Sequence, residues 1–171
     1  MSAAIGTEVR TNLALQAFFG GMLLYVAAAV FPLADSDASY MARELLLMLL
    51  TFVAVGFSMV LARRHLQDVP DYPARAVSLV FVTAGSALLF GLSLWLHFAL
   101  IDPDYLQLNL AAYAEHLQAS VDGRDMPREM SPERVDFLLD PMKQAALNAG
   151  TALGMGVLLA PLLAFRPRAA R

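Results

Sequence analysis

The chain has 171 residues, of which 58% are hydrophobic and only 16% are charged, with a formal net charge of −3 and no cysteine. A soluble domain usually carries about a quarter charged residues, so this composition disfavours a soluble globular protein. The lack of cysteine excludes disulfides and thiolate chemistry, and no basic cluster indicates a nucleic-acid-binding protein.

Four long stretches contain no Asp, Glu, Lys or Arg: 11–34, 45–62, 76–101 and 144–165. The shortest, 45–62, is about 27 Å long as a helix at about 1.5 Å per residue. The hydrocarbon layer of a bilayer is about 30 Å thick, so each stretch can span it. The sequence predicts an all-α polytopic membrane protein with four transmembrane helices and a single domain over 1–171.

The first predicted span carries Gly20 and Gly21, followed by an alanine run at 27–29. Small side chains let helix backbones approach closely, so we expect one face of this helix to pack on a neighbouring span. The apolar run exceeds the core of a secretion signal, about 7–15 residues, and its flank is not strongly basic. We therefore expect the span to be retained.

The third predicted span ends near Trp95 and His97. A Trp ring at a membrane boundary anchors the helix at headgroup level. His97 lies close to the same boundary, and we expect it to hydrogen-bond to water or to a backbone group rather than to bind a metal or haem.

The long loop 102–143 begins with a helix-start pattern, in which Asp102 precedes Pro103. Apolar residues then recur at helical spacing, which predicts an amphipathic surface helix over about 103–119. Its apolar face consists of Leu106, Leu110, Tyr113 and Leu117. This face either covers the ends of the membrane helices or forms a docking surface for another protein, and the sequence leaves both readings open.

A serine followed by a proline indicates a second short surface helix over about 132–140. Asp140 and Pro141 repeat the helix-start pattern just before the fourth span, which we predict over about 142–165. The pair either starts this span or kinks an existing helix. The loop between spans three and four therefore carries two short amphipathic helices.

Small residues recur every four positions in the fourth span, at Ala146, Gly150 and Gly154. This spacing is typical of a helix face that approaches another helix closely. Packing against another span of the same chain is the favoured use, and homodimerisation through the same face is the alternative.

The basic residues are unevenly distributed between the two sides of the membrane that four spans would create. The side with both termini and loop 63–75 carries seven basic residues against three acids, and loops 35–44 and 102–143 carry five against twelve. Several of the seven lie directly at helix ends, and basic residues hold cytoplasmic ends in place during insertion. We therefore expect both termini in the cytoplasm.

The sequence predicts no catalytic residue, no cofactor and no metal. The spans lack the carboxylate, Lys and Arg side chains that ion-coupled transporters usually keep within the bilayer. Asp102 and Asp104 flank a proline at a helix start and are expected to cap it rather than to catalyse a reaction. Metalloprotease, phosphate-loop and nucleophile-elbow motifs are absent from the sequence.

The segment 98–106, Phe-Ala-Leu-Ile-Asp-Pro-Asp-Tyr-Leu, with Arg63 and Arg64 before the third span, resembles the bacterial membrane-protein family called domain of unknown function 4199. Members have four predicted spans, an Ile-Asp-Pro segment after the third and a longer helical loop before the fourth. This chain differs in being rich in Ala, Leu and Arg rather than in Ile and Lys. The resemblance implies a bacterial cytoplasmic (inner) membrane protein and implies no activity.

Three hypotheses follow, and the favoured one is a non-catalytic accessory or scaffold subunit of a larger membrane complex, of respiratory or photosynthetic type. Its partners would be the lipid bilayer and other membrane subunits. The alternative is a small oligomeric transporter or channel, whose uncharged pore walls would come from Ser78, Thr83, Ser86, Ser93, Asn148 and Thr151. A membrane enzyme would instead use the loop acids Asp102, Asp104, Glu115 and Asp140.

Overall fold

The computed structural model describes residues 7–34, 40–69, 71–120 and 131–165, and all regular structure in these ranges is helical. The helices are α1 (Thr7–Ala34), α2 (Tyr40–Arg64), α3 (Tyr72–Leu96), α4 (Tyr105–Ser120), α5 (Pro132–Leu139) and α6 (Pro141–Ala164). A π-helical turn, His97–Ile101, extends α3. The all-α prediction is confirmed.

Four of these helices are long and apolar enough to cross a membrane. The candidate spans are Thr7–Ala29, Glu44–Arg64, Tyr72–Ile101 and Pro141–Ala164. Each of these helices begins a few residues before the corresponding charge-free stretch of the sequence. Long polar side chains at a helix end can extend to the membrane surface while the backbone stays helical. The prediction of a four-span helical protein is confirmed.

Helix α3 packs against both α1 and α6, while α2 packs against α1 and α6 on the other side. The largest fully buried side chains come from three of the spans and from the turn after α2. They are Leu24, Met59, Leu66, Leu79 and Phe90.

Helices α1 and α3 approach each other through small residues. A Cβ atom on Gly21 would collide with Leu89 and with the backbone oxygen of Ser86. The Ser86 hydroxyl also donates a hydrogen bond across the interface to the carbonyl of Ala17, at 2.9 Å. The expected packing of the glycine face of the first span is therefore confirmed.

The first end of the bundle, which we call the arginine end, contains the α2–α3 turn and the end of α6. Arg63 donates to the carbonyl of Phe165 at 3.1 Å, and Arg75 donates to that of Ala164 at 3.1 Å. The last carbonyls of a helix lack intrahelical partners and carry partial negative charge, so cations stabilise them. These arginines therefore hold the end of α6 against α2 and α3.

The outward faces of the spans carry large apolar side chains. Phe19, Phe81, Leu88 and Leu158 are each more than 70% exposed. In water, contiguous apolar surface of this kind is an aggregation liability, whereas lipid covers it without cost. The surface of the bundle therefore suits a bilayer.

Candidate functional site

A cavity of about 350 Å³ lies at the opposite end of the bundle, which we call the acidic-loop end. We name it the acidic-loop pocket. Its lining comes from α1, α2, the end of α3, α4, α5 and the start of α6: Ala28, Ala29, Glu44, Leu45, Leu47, Met48, Thr51, Leu94, His97, Phe98, Tyr105, Leu106, Asn109, Leu138, Gln144, Leu147, Asn148 and Thr151.

The part of the pocket lining that comes from α2 and α6 includes exposed apolar side chains. Leu45 and Met48 of α2 and Leu147 of α6 line the pocket and are each more than half exposed. From α4, Leu106 lines the same cavity and is buried. A molecule entering between α2 and α6 would therefore come from the surrounding lipid.

His97 lies in this pocket at the first residue of the π-helical turn, and only 7% of it is exposed. The backbone N–H of Asp102 bonds to the carbonyl of His97 at 2.9 Å, which closes the wider turn. The Tyr25 hydroxyl lies 3.0 Å from Nδ1 of the imidazole. The expectation of a water or backbone partner is thus corrected: the partner is a side chain of α1.

The contact with Tyr25 occupies one ring nitrogen of His97 and leaves the other available. Tyr25 donates to Nδ1 or accepts from it according to the tautomer of the imidazole. In either tautomer Nε2 has no hydrogen-bond partner among the described residues. His97 therefore keeps one ring nitrogen for a molecule in the pocket.

Two amide side chains at the start of α6 present oxygen atoms. Gln144 donates through Nε2 to the backbone carbonyl of Phe137 at 3.2 Å. Asn148 donates through Nδ2 to the backbone carbonyl of Gln144 at 2.9 Å. A carbonyl only accepts, which fixes the orientation of both amides. Their oxygen atoms have no partner among the described residues.

Thr51 of α2 is a further polar residue of the pocket, and only 6% of it is exposed. Its hydroxyl makes no hydrogen bond within the part of the chain that the structure describes. Leaving a buried polar group unpaired costs about 1–3 kcal/mol, so buried polar groups are normally bonded. Together with His97 and the two amides, Thr51 gives the pocket unused hydrogen-bonding capacity.

The predicted packing face of the fourth span lies elsewhere than expected. Ala146, Gly150 and Gly154 are all exposed, and a Cβ atom on either glycine would meet nothing within 4 Å. Their expected contact with another span of this chain does not occur. The buried small residues form a different stripe: Ala145, Ala152, Gly156, Ala160 and Ala164. Gly156 in this stripe lies against Thr83 of α3.

The predicted docking face of α4 packs partly inside the chain. Leu106 is only 4% exposed and belongs to the core, and Leu110 is half-buried. Arg134 of α5 donates to the Tyr113 hydroxyl at 2.7 Å and lies over its ring. The side chain of Leu117 lies outside the described residues. Leu106 therefore covers the helix ends, as one of the two readings of this face expects.

Among the loop acids, Asp140 has a defined structural role. Its carboxylate accepts hydrogen bonds from the backbone N–H groups of Met142 and Lys143, at 2.9 and 3.1 Å. These bonds, that to Lys143 foremost, lower the pKa of Asp140. The predicted start of the fourth span at an Asp-Pro pair is thus confirmed.

The other acids do not form a metal site within the described residues, where no group of three or more His, Asp or Glu side chains could hold an ion. Helix α4 begins at Tyr105, two residues later than Pro103, because the π-helical turn extends to Ile101 and a short turn follows. Asp104 and Glu115 are exposed.

The polar residues proposed as pore walls do not share one cavity. Ser78, Thr83 and Ser86 are buried. The hydroxyls of Ser78 and Thr83 donate to the carbonyl four residues earlier in α3, and the Ser86 hydroxyl lies within hydrogen-bond distance of both the Val82 and the Ala17 carbonyls. Asn148 and Thr151 line the acidic-loop pocket instead, and Ser78 lines a separate cavity between α1 and α3.

Fold and pocket together define a four-span helical membrane protein with a polar cavity at one end. Comparison with protein-family models, curated proteins and solved structures found no match. Membership of the family called domain of unknown function 4199 therefore stays a prediction.

Proposed function

We propose that this chain is a non-catalytic integral protein of a bacterial cytoplasmic membrane, with both termini in the cytoplasm. It acts as an accessory or scaffold subunit of a larger membrane complex, of respiratory or photosynthetic type. The supporting observation is the exposed strip formed by Ala146, Gly150 and Gly154, which has no counterpart helix among the described residues.

This strip suits a transmembrane helix of another subunit. In lipid there is no hydrophobic force to drive helices together, and they associate where small residues permit close backbone contact. Helix α6 is also the least enclosed span, with 17% of its most apolar window buried inside the chain. A partner helix would fill the shallow surface over Gly150 and Gly154.

Gentle detergent extraction followed by a native gel tests the proposal. The protein should migrate in an assembly that contains other polypeptides. A lone 18.5 kDa monomer would contradict it, and an assembly of this chain alone would show homodimerisation in place of a subunit role.

Substitution on the strip tests the same contact. Gly150→Leu combined with Gly154→Leu should release the chain from the assembly while its own fold persists, because both positions are exposed and a Cβ atom there meets no described residue within 4 Å. Ala14→Leu, at an exposed position of α1, is the matched control and should leave the assembly intact. Equal retention of both variants would exclude the strip as the contact.

The alternative, a small oligomeric transporter or channel, draws less support because its proposed pore residues are divided among separate sites. A pore would have to form between copies of the chain. Solute flux into proteoliposomes that contain only this protein would favour the alternative over a subunit role.

A further inference from the structure

We propose that the acidic-loop pocket binds the headgroup of a neutral, hydroxyl-bearing lipid, whose acyl chain lies in the lateral opening between α2 and α6. This inference is independent of the subunit role proposed above. It rests on buried polar groups that the fold itself leaves unpaired.

The pocket contains more hydrogen-bonding capacity than the bundle uses. His97 and Gln144 are 7% and 8% exposed, and Thr51 is 6% exposed. Each retains a polar atom without a partner among the described residues: Nε2, Oε1 and the hydroxyl. Buried polar side chains with spare atoms in one cavity indicate a bound polar molecule.

The available atoms define the chemistry of that molecule. The oxygens of Gln144 and Asn148 accept, the Thr51 hydroxyl donates and accepts, and the imidazole Nε2 donates or accepts according to its tautomer. A group that both accepts and donates hydrogen bonds, such as a hydroxyl, satisfies this set. Neutral hydroxyls therefore fit better than a group that only accepts.

The charge of the described lining disfavours the commoner acidic headgroups. Among the residues that the structure describes, no Lys or Arg lines the pocket, and Glu44 is the one acidic lining residue. A phosphate or carboxylate would be desolvated without a cation, which is costly. A neutral glycerol-type or sugar-type headgroup avoids this cost.

Size and access favour a lipid over a soluble polyol. The volume of about 350 Å³ lies in the range of small-molecule sites, roughly 300–1,000 Å³. The apolar side chains of Leu45, Met48 and Leu147 stand at the lateral opening and offer an acyl chain a continuous path to the bilayer.

Native mass spectrometry of the purified full-length chain in lauryldimethylamine oxide, a detergent without hydroxyl groups, tests the inference. Monooleoylglycerol should give a one-to-one adduct, and oleate should bind at least about tenfold more weakly. Tighter binding of oleylamine would show that the site prefers a cation, and equal binding of free glycerol would show that the acyl chain contributes nothing; either result overturns the proposal.

Two substitutions test the site itself. Thr51→Val and Asn148→Leu should each weaken monooleoylglycerol binding by about tenfold, the effect of losing one buried hydrogen bond. Thr51→Val should not lower thermal stability, because the buried hydroxyl that it removes bonds to no described residue. Thr11→Val, at the far end of α1, is the matched control. Unchanged binding in both pocket variants would overturn the proposal.

Discussion

At the residue scale, Asp140 illustrates how a local motif organises the junction between two helices. Helix α5 ends at Leu139 and α6 begins at Pro141, so Asp140 alone separates them. Its carboxylate bonds to the backbone N–H groups of Lys143 and Met142, which otherwise lack partners in the first helical turn. The exposed ion pair with Lys143, at 3.4 Å, adds little because water screens it.

The lowered pKa of Asp140 predicts how stability depends on pH. A carboxyl whose pKa is lower in the folded state stabilises the fold above its unfolded pKa, and this contribution is lost as the pH falls through the folded value. Asp140→Ala should therefore lower the thermal unfolding temperature at neutral pH, and the difference from the unmodified chain should shrink at acidic pH.

The control for this prediction is Asp104→Ala, since Asp104 is an exposed acid whose side chain makes no described hydrogen bond. Unfolding followed by circular dichroism in detergent at both pH values gives the comparison. A pH-independent difference for Asp140→Ala would show that its charge does not act through the cap.

At the element scale, α6 presents two small-residue faces, and the structure assigns them different surroundings. The face with Gly156 packs on α3, where Thr83 occupies the space that a Cβ atom would need. The face with Gly150 and Gly154 looks outward. Both have helical spacing, so the sequence pattern alone does not decide which face packs within the chain.

Gly156→Ala should destabilise the bundle by about 1–3 kcal/mol, because the added methyl group must displace Thr83 and separate α6 from α3. Gly154→Ala is the matched control and should be neutral, since nothing lies within 4 Å of its Cβ position. Equilibrium unfolding in mixed detergent micelles compares the two. Equal destabilisation by the two substitutions would contradict an arrangement in which Gly156 faces α3 and Gly154 faces outward.

The elements themselves were predictable from sequence because their signals are local. Missing charge identified the four spans, and Asp-Pro and Ser-Pro pairs identified the starts of α6 and α5. The contact between Tyr25 and His97 was not predictable from sequence, because it joins residues 72 positions apart and no local sequence pattern around either residue indicates the other. The pocket depends on such contacts, so only its individual polar residues were visible in advance.

At the scale of the whole molecule, most polar contacts between elements lie at the two ends, and bulky apolar side chains cover the outward faces of the spans. The bond from Ser86 to the carbonyl of Ala17 is an exception inside the bundle. Arg63 and Arg75 donate hydrogen bonds to carbonyls at the end of α6, at the arginine end. The hydrogen bond between Tyr25 and His97 lies at the acidic-loop end. This distribution is what a bilayer requires, because unpaired polar groups are costly in hydrocarbon. The acidic-loop pocket lies at one of these two ends.

The most direct test of the central claim, that four helices cross a membrane, uses the absence of cysteine from the chain. Asp68→Cys lies in the α2–α3 turn at the arginine end, and Asp104→Cys lies just before α4 at the acidic-loop end; both positions are exposed. A membrane-impermeant thiol reagent added to intact cells should label the Asp104→Cys variant alone, and both variants should react after permeabilisation. Labelling of both positions in intact cells would contradict a membrane-spanning bundle.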